Sequence, residues 1–218
     1  MASDEHVGLA IVRQIQATIA EHADELTTLD RAIGDGDHGS NLARGFNAAL
    51  QKVEALEDQS LANVIKTAAM TLISTVGGAA GPLYGTALLR FATTIQARNS
   101  TDPQALVEAF GAAIEGVKQR GKATTGEKTM LDALVPAHEA LQSAIEAGAS
   151  VSDAFAQAAT AAKAGAEATI PMLATKGRAS YLGERSVGHQ DPGATSSWYL
   201  IQAIADTLEG RQTTPSSG

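Results

Sequence analysis

Ile11, Ile15 and Ile19 stand four positions apart, the spacing that lines side chains along one face of an α-helix. The same period returns along most of the 218-residue chain. Leu42, Phe46, Leu50 and Val53 form a second stripe, and Leu61, Val64, Ile65, Ala68 and Leu72 a third. Together with further segments over 84–98, 101–119, 129–147, 153–174 and 191–210, this predicts eight helices, the first over 7–26. Thr101-Asp102-Pro103 and Asp191-Pro192 each pair an N-cap residue with a proline in the first turn. Alanine is abundant and aromatics make up only 4% of residues, which favours closely packed helices over sheet. The expected fold is all-α, a single-domain antiparallel bundle or helical barrel over residues 1–212, with a disordered tail at 213–218.

A net charge of -8 argues against a bare polyanion such as DNA as a partner. It leaves room for a small phosphate compound if a metal cation intervenes. There is no cysteine, so disulfides and thiolate metal sites are excluded. No basic-then-apolar leader and no membrane-length apolar run is visible, so a cytoplasmic protein is expected.

The loops carry more information than the helices. Segments 30–39, 77–82, 121–128 and 176–193 are rich in glycine and follow every second helix. In an alternating bundle every second connection lies at the same end, so these four are expected to meet in one site.

Asp30-Arg31-Ala32-Ile33-Gly34-Asp35-Gly36-Asp37-His38-Gly39-Ser40-Asn41 permits several readings. Gly34-x-Gly36-x-x-Gly39 matches the dinucleotide fingerprint, but a helix precedes it where a strand is required. Asp35-x-Asp37 fails as a calcium loop, because Phe46 occupies the position of the bidentate glutamate. Gly116 to Lys122 fails as a P-loop, because Ala123 stands where Ser or Thr is needed. Magnesium coordination survives: three aspartates spaced by glycines can converge on hard cations shared with phosphate. An acidic turn that merely caps a helix is the bland alternative. The helix opening at Gly39-Ser40-Asn41 offers free N–H groups to a phosphate.

His38 either touches a phosphate or supports the aspartates; a phosphohistidine is the less favoured reading. Gly77 to Pro82 suits either a backbone laid against a ligand or a helix C-cap. The stretch 176–193 reads as a lid, with Arg178 and Arg185 as candidate charges for a transferring phosphoryl group. Thr124, Thr129, Met130 and Leu134 can line an adenine pocket or simply fill the core.

The aspartate segment and Lys176–Gly193, with Gly77–Thr86 and Gly121–Met130, closely resemble the L-subunit family of bacterial dihydroxyacetone kinases. The resemblance implies an eight-helix antiparallel barrel with a nucleotide site at one open end. It implies that Asp30, Asp35 and Asp37 hold two Mg2+ ions. It places His38, Gly39, Ser40, Asn41, Ala79, Ala80, Gly121, Met130, Arg178, Asp191, Pro192 and Gly193 against ADP or ATP, with Arg178 and His38 in catalytic roles. It also implies two partners. A K subunit carries dihydroxyacetone, and an M subunit rephosphorylates ADP from a phosphohistidine. With no second domain to hold a sugar, the chain is expected to be half of an enzyme. Two alternatives stay open: the nucleotide domain of an ATP-exchanging ketose kinase, and a nucleotide-sensing partner of a transcription regulator.

Overall fold

The computed structural model describes residues 4–210, so the expected tail at 213–218 lies outside the described residues. Nine α-helices and one 3₁₀ segment make up the described residues, and no strand occurs among them. They are α1 (Asp4–Glu21), α2 (Ala23–Ile33), α3 (His38–Glu54), α4 (Leu61–Thr75), α5 (Ala80–Arg98), α6 (Pro103–Gly121), α7 (Leu131–Glu146), α8 (Val151–Ala168) and α9 (Pro192–Leu208). The 3₁₀ segment, Arg178–Ser186, lies between α8 and α9.

From α3 to α9 each helix packs on the next, while α1 packs on both α3 and α9. The pairings therefore close into a ring of eight, the order that a helical barrel requires, with α2 continuing the first member. Isoleucine and leucine stripes fill the centre, where Ile19, Leu26, Leu42, Phe46, Leu72, Leu131 and Leu141 are almost fully enclosed. Each such side chain contributes roughly 1.5–3 kcal/mol by leaving water. Alanines do the rest. Ala154, Ala158, Ala162 and Ala166 are buried on α8 and bring it close to α7. Gly165 sits against the Asp132 carbonyl, where a Cβ would collide with backbone.

One difference from the expected elements matters for function. The first helix does not stop near residue 26 but jogs at His22 and runs on to Ile33. The buried positions of α2 are Leu26, Asp30 and Ile33. A carboxylate occupies the middle of an apolar stripe, so the hydrophobic period breaks off in sequence although the helix continues. Asp30 therefore projects from a helix, not from a loop. At the other end of the chain α8 stops at Ala168, several residues before the expected 174, leaving a longer excursion before α9.

Candidate functional site

Asp30 is buried, and its Oδ2 accepts the backbone N–H groups of Asp37 (2.9 Å) and His38 (3.1 Å). The last turn of α2 thus pins the first turn of α3. Between them the chain must reverse tightly. Gly36 takes φ +75, and a Cβ at Gly34 would run into the Asp30 carboxylate. The turn swings Asp35 and Asp37 beside Asp30, so that one carboxylate oxygen from each lies within 4.8 Å of the others. Asp35 and Asp37 are exposed. The donor set is entirely hard oxygen, which fits Mg2+, and a cation there offsets the mutual repulsion of three carboxylates. Arg178 reaches across from the α8–α9 excursion, its Nη2 2.9 Å from Asp35 Oδ2.

Four connections meet in a cavity of about 550 Å3. It is lined by Asp30 to His38, Gly77 to Ala80, Gly121 to Leu131 and Lys176 to Gly193, in part. Leu83, Val117, Ala123, Met130 and Leu131 give it an apolar wall. Helices α3, α5 and α7 open onto it with no hydrogen bond from their N-cap side chains, although Asp30 holds the His38 N–H of α3 and Thr129 Oγ1 the Leu131 N–H of α7. Uncapped N-termini carry partial positive charge and suit an anion.

Beneath the floor runs a polar chain. His38 Nε2 lies 2.8 Å from Ser196 Oγ, which lies 2.7 Å from Tyr84 Oη; Tyr84 also contacts Ser197 Oγ at 3.0 Å. Burial holds the His38 imidazole below its ordinary pKa, against the pull of Asp30, Asp37 and Asp35. Burial likewise pushes the Tyr84 hydroxyl up to about 12. Asp191, the N-cap of α9, accepts the Ala194 N–H at 2.7 Å, and burial pushes its carboxyl up to about 7.

Of the residues expected at the site, Asp30, Asp35, Asp37, His38, Asn41, Ala79, Ala80, Gly121, Met130, Arg178, Asp191, Pro192 and Gly193 all line the cavity. Gly39 and Ser40 do not line it. Gly39 is buried where α3 meets the Ala23 carbonyl, and Ser40 Oγ donates to the Asp37 carbonyl at 3.0 Å. Gly39 shapes the turn from inside, while Ser40 does so from its exposed side. Thr129 lines the cavity, whereas Leu134 is core and neither Thr124 nor Arg185 reaches the lining. Sequence reasoning missed Tyr84, Lys128 and Ser196. Their partners are backbone and hydroxyl groups on distant elements, so no local pattern announces them. The P-loop look-alike resolves into the end of α6, where Gly116 packs on Arg90 and Thr86.

Fold and site together define an all-helical domain with a loop-built cavity that joins a carboxylate cluster to open helix N-termini. A model of the DAK2 domain matches residues 32–206, and the chain belongs to that family. It is 49% identical over 180 residues to the ADP-binding subunit DhaL of the PEP-dependent dihydroxyacetone kinase of Escherichia coli K12, covering 83% of this chain and 86% of that one. A second relative is the ADP-binding subunit DhaL of PEP-dependent dihydroxyacetone kinase 1 from Listeria innocua. It is 41% identical, with 95% and 98% covered. Among solved structures, the dihydroxyacetone kinase of C. freundii in complex with AMP-PNP and Mg2+ superposes with a TM-score of 0.68 at 26% identity. The match covers 91% of this chain and 33% of that one. No helix among the described residues is long and apolar enough to cross a membrane.

Proposed function

We propose that this chain is the nucleotide-carrying subunit of a cytoplasmic, phosphotransferase-system-dependent dihydroxyacetone kinase, holding ADP or ATP through two Mg2+ ions. The observation that carries the reading is the convergence of the Asp30, Asp35 and Asp37 carboxylates at the mouth of a cavity walled by four separate connections. The names of the relatives point the same way. Bound magnesium would supply neutralisation of phosphate charge.

The chain's own residues do the rest. The three aspartates fix where the metal and the phosphates sit. The N-terminal turn of α5, whose N-cap side chain makes no bond, faces the anion. Arg178 brings a guanidinium to the aspartate turn from the opposite wall, where it can meet charge on a transferring phosphoryl group. The apolar wall around Met130 takes the base. His38, its pKa lowered by burial and its Nε2 tied to Ser196 Oγ, orients the α3 N-terminus. The acceptor sugar then comes on a K subunit and the phosphoryl group from an M subunit, each docking at the open end.

Native mass spectrometry of the purified protein tests this. The expected mass is protein plus ADP plus magnesium, with nucleotide released in stoichiometric amount on heating. Asp35→Asn is expected to abolish nucleotide retention. Full nucleotide on that variant removes the metal clamp from the argument. A wild-type protein that exchanges ATP freely moves the assignment to an ATP-dependent ketose kinase.

A further inference from the structure

Lys128 is 2% exposed, the one lysine or arginine in the buried core among the described residues. It also sits at φ +61, a backbone region that side chains other than Asn and Asp seldom occupy. Both features set it apart from the half-buried lysine, Lys176, that shares the cavity. Its Nζ donates to three backbone carbonyls: Thr169 at 2.6 Å, Ile170 at 3.4 Å, and His189. The acceptors are not contiguous. Thr169 and Ile170 follow α8 directly, whereas His189 stands just before α9.

These are the two stems of one excursion. The stems also hold each other, through Gly188 N–H to the Ile170 carbonyl at 2.8 Å and Asp191 N–H to Thr169 Oγ1 at 2.9 Å. Between them run Lys176 to Ala179, which line the cavity and bring Arg178 to Asp35. The loop that carries Lys128 is itself fixed, because Asp132 accepts the Gly126 and Thr129 N–H groups. A second tie, Glu127 to Thr175 and Lys176, lies at the surface, where water competes. Lys128 is the enclosed tie.

We propose that Lys128 is a positioning residue. Its ammonium clips both stems of the 169–191 excursion to the 122–130 loop, and so holds Arg178 and Asp191–Gly193 over the cavity and slows the departure of a bound nucleoside diphosphate. The clip stands on the geometry alone; its effect on departure rests on the nucleotide reading above.

The test uses the whole chain with Lys128→Gly, which tolerates φ +61, and Lys128→Met, which keeps the aliphatic stem without the charge. Amide hydrogen exchange is followed in nucleotide-free protein. ADP dissociation is followed in saturating Mg2+, with and without n-butylammonium. The clip predicts exchange across 169–191 about tenfold faster in both variants, with the other helices unchanged. It predicts a similar acceleration of ADP release, and rescue of both by n-butylammonium in Lys128→Gly but not in Lys128→Met. Unchanged exchange in 169–191 beside weakened ADP binding overturns the clip and makes Lys128 a direct phosphate contact. Faster exchange throughout the chain overturns it in favour of a general loss of stability. If wild-type protein fails to hold ADP with Mg2+, the nucleotide reading falls, while the exchange measurement still decides the clip.

Discussion

The two ends of the helical ring are built by different rules. At the end remote from the cavity, connections are short and helices begin under side-chain caps. Asp102 accepts the Ala105 N–H at 2.8 Å to start α6, and Ser150 accepts the Asp153 N–H at 3.1 Å to start α8. The start of α4, at Ser60, lacks such a cap bond. At the cavity end the order reverses. The N-cap side chains of α3, α5 and α7 make no cap bond, and of these starts only α9 is capped by its own N-cap residue, Asp191. The far end completes its own hydrogen bonds. The cavity end leaves the start of α5 without a side-chain cap and gathers three carboxylates nearby, an arrangement that a cation and an anion together would satisfy. Stability is concentrated at one end and binding capacity at the other.

The strongest way to break this contrast is Gly39→Ala. A methyl there meets the Ala23 carbonyl and must push α2 from α3, moving Asp30 away from the Asp37 and His38 N–H groups. The expected cost is ~1–3 kcal/mol by overpacking, with magnesium-dependent nucleotide affinity lost as well. Chemical denaturation and calorimetric titration read the two effects. Normal affinity in a destabilised variant would show that the α2–α3 approach is structural only.

A pH series sharpens the comparison. Asp191 has its folded pKa near 7 against an ordinary 3.8, because burial disfavours the charged form. The folded state therefore holds this proton more tightly than the unfolded chain. Its contribution to stability is complete below the ordinary value and declines as pH rises toward 7, by at most ~1.4 kcal/mol per pH unit. Denaturation of nucleotide-free protein in chelator is expected to show that slope. Asp191→Asn, which keeps an oxygen acceptor for the cap, is expected to flatten it.

The smallest effect belongs to the far end. Ser150→Ala is expected to cost ~1 kcal/mol through the lost cap on α8. Its ADP dissociation rate should match that of wild type. A changed rate would mean that the two ends are coupled through α8.

How much of this could be read in advance depends on range. The helices of the middle and end of the chain follow from apolar period and proline-capped starts, as Pro103 and Pro192 illustrate. The grouping of four glycine-rich connections follows from alternation alone. The exact relation of Asp30 to Asp35 and Asp37 does not, because Asp30 interrupts an apolar stripe and so disguises the helix that carries it. Lys128 was invisible because its partners are carbonyls of Thr169, Ile170 and His189, which every residue type supplies. Gly39 was legible as a special position, but what demands its small size is the backbone of α2 and not a ligand.

The order of residues alone determined the helical class and the chemistry of the aspartate turn, since periodicity and side-chain type are local properties. Tertiary packing decided which backbone groups stay open to a ligand and which distant carbonyls receive the buried ammonium. Those depend on distances between segments far apart in the chain, and only the closed ring sets such distances.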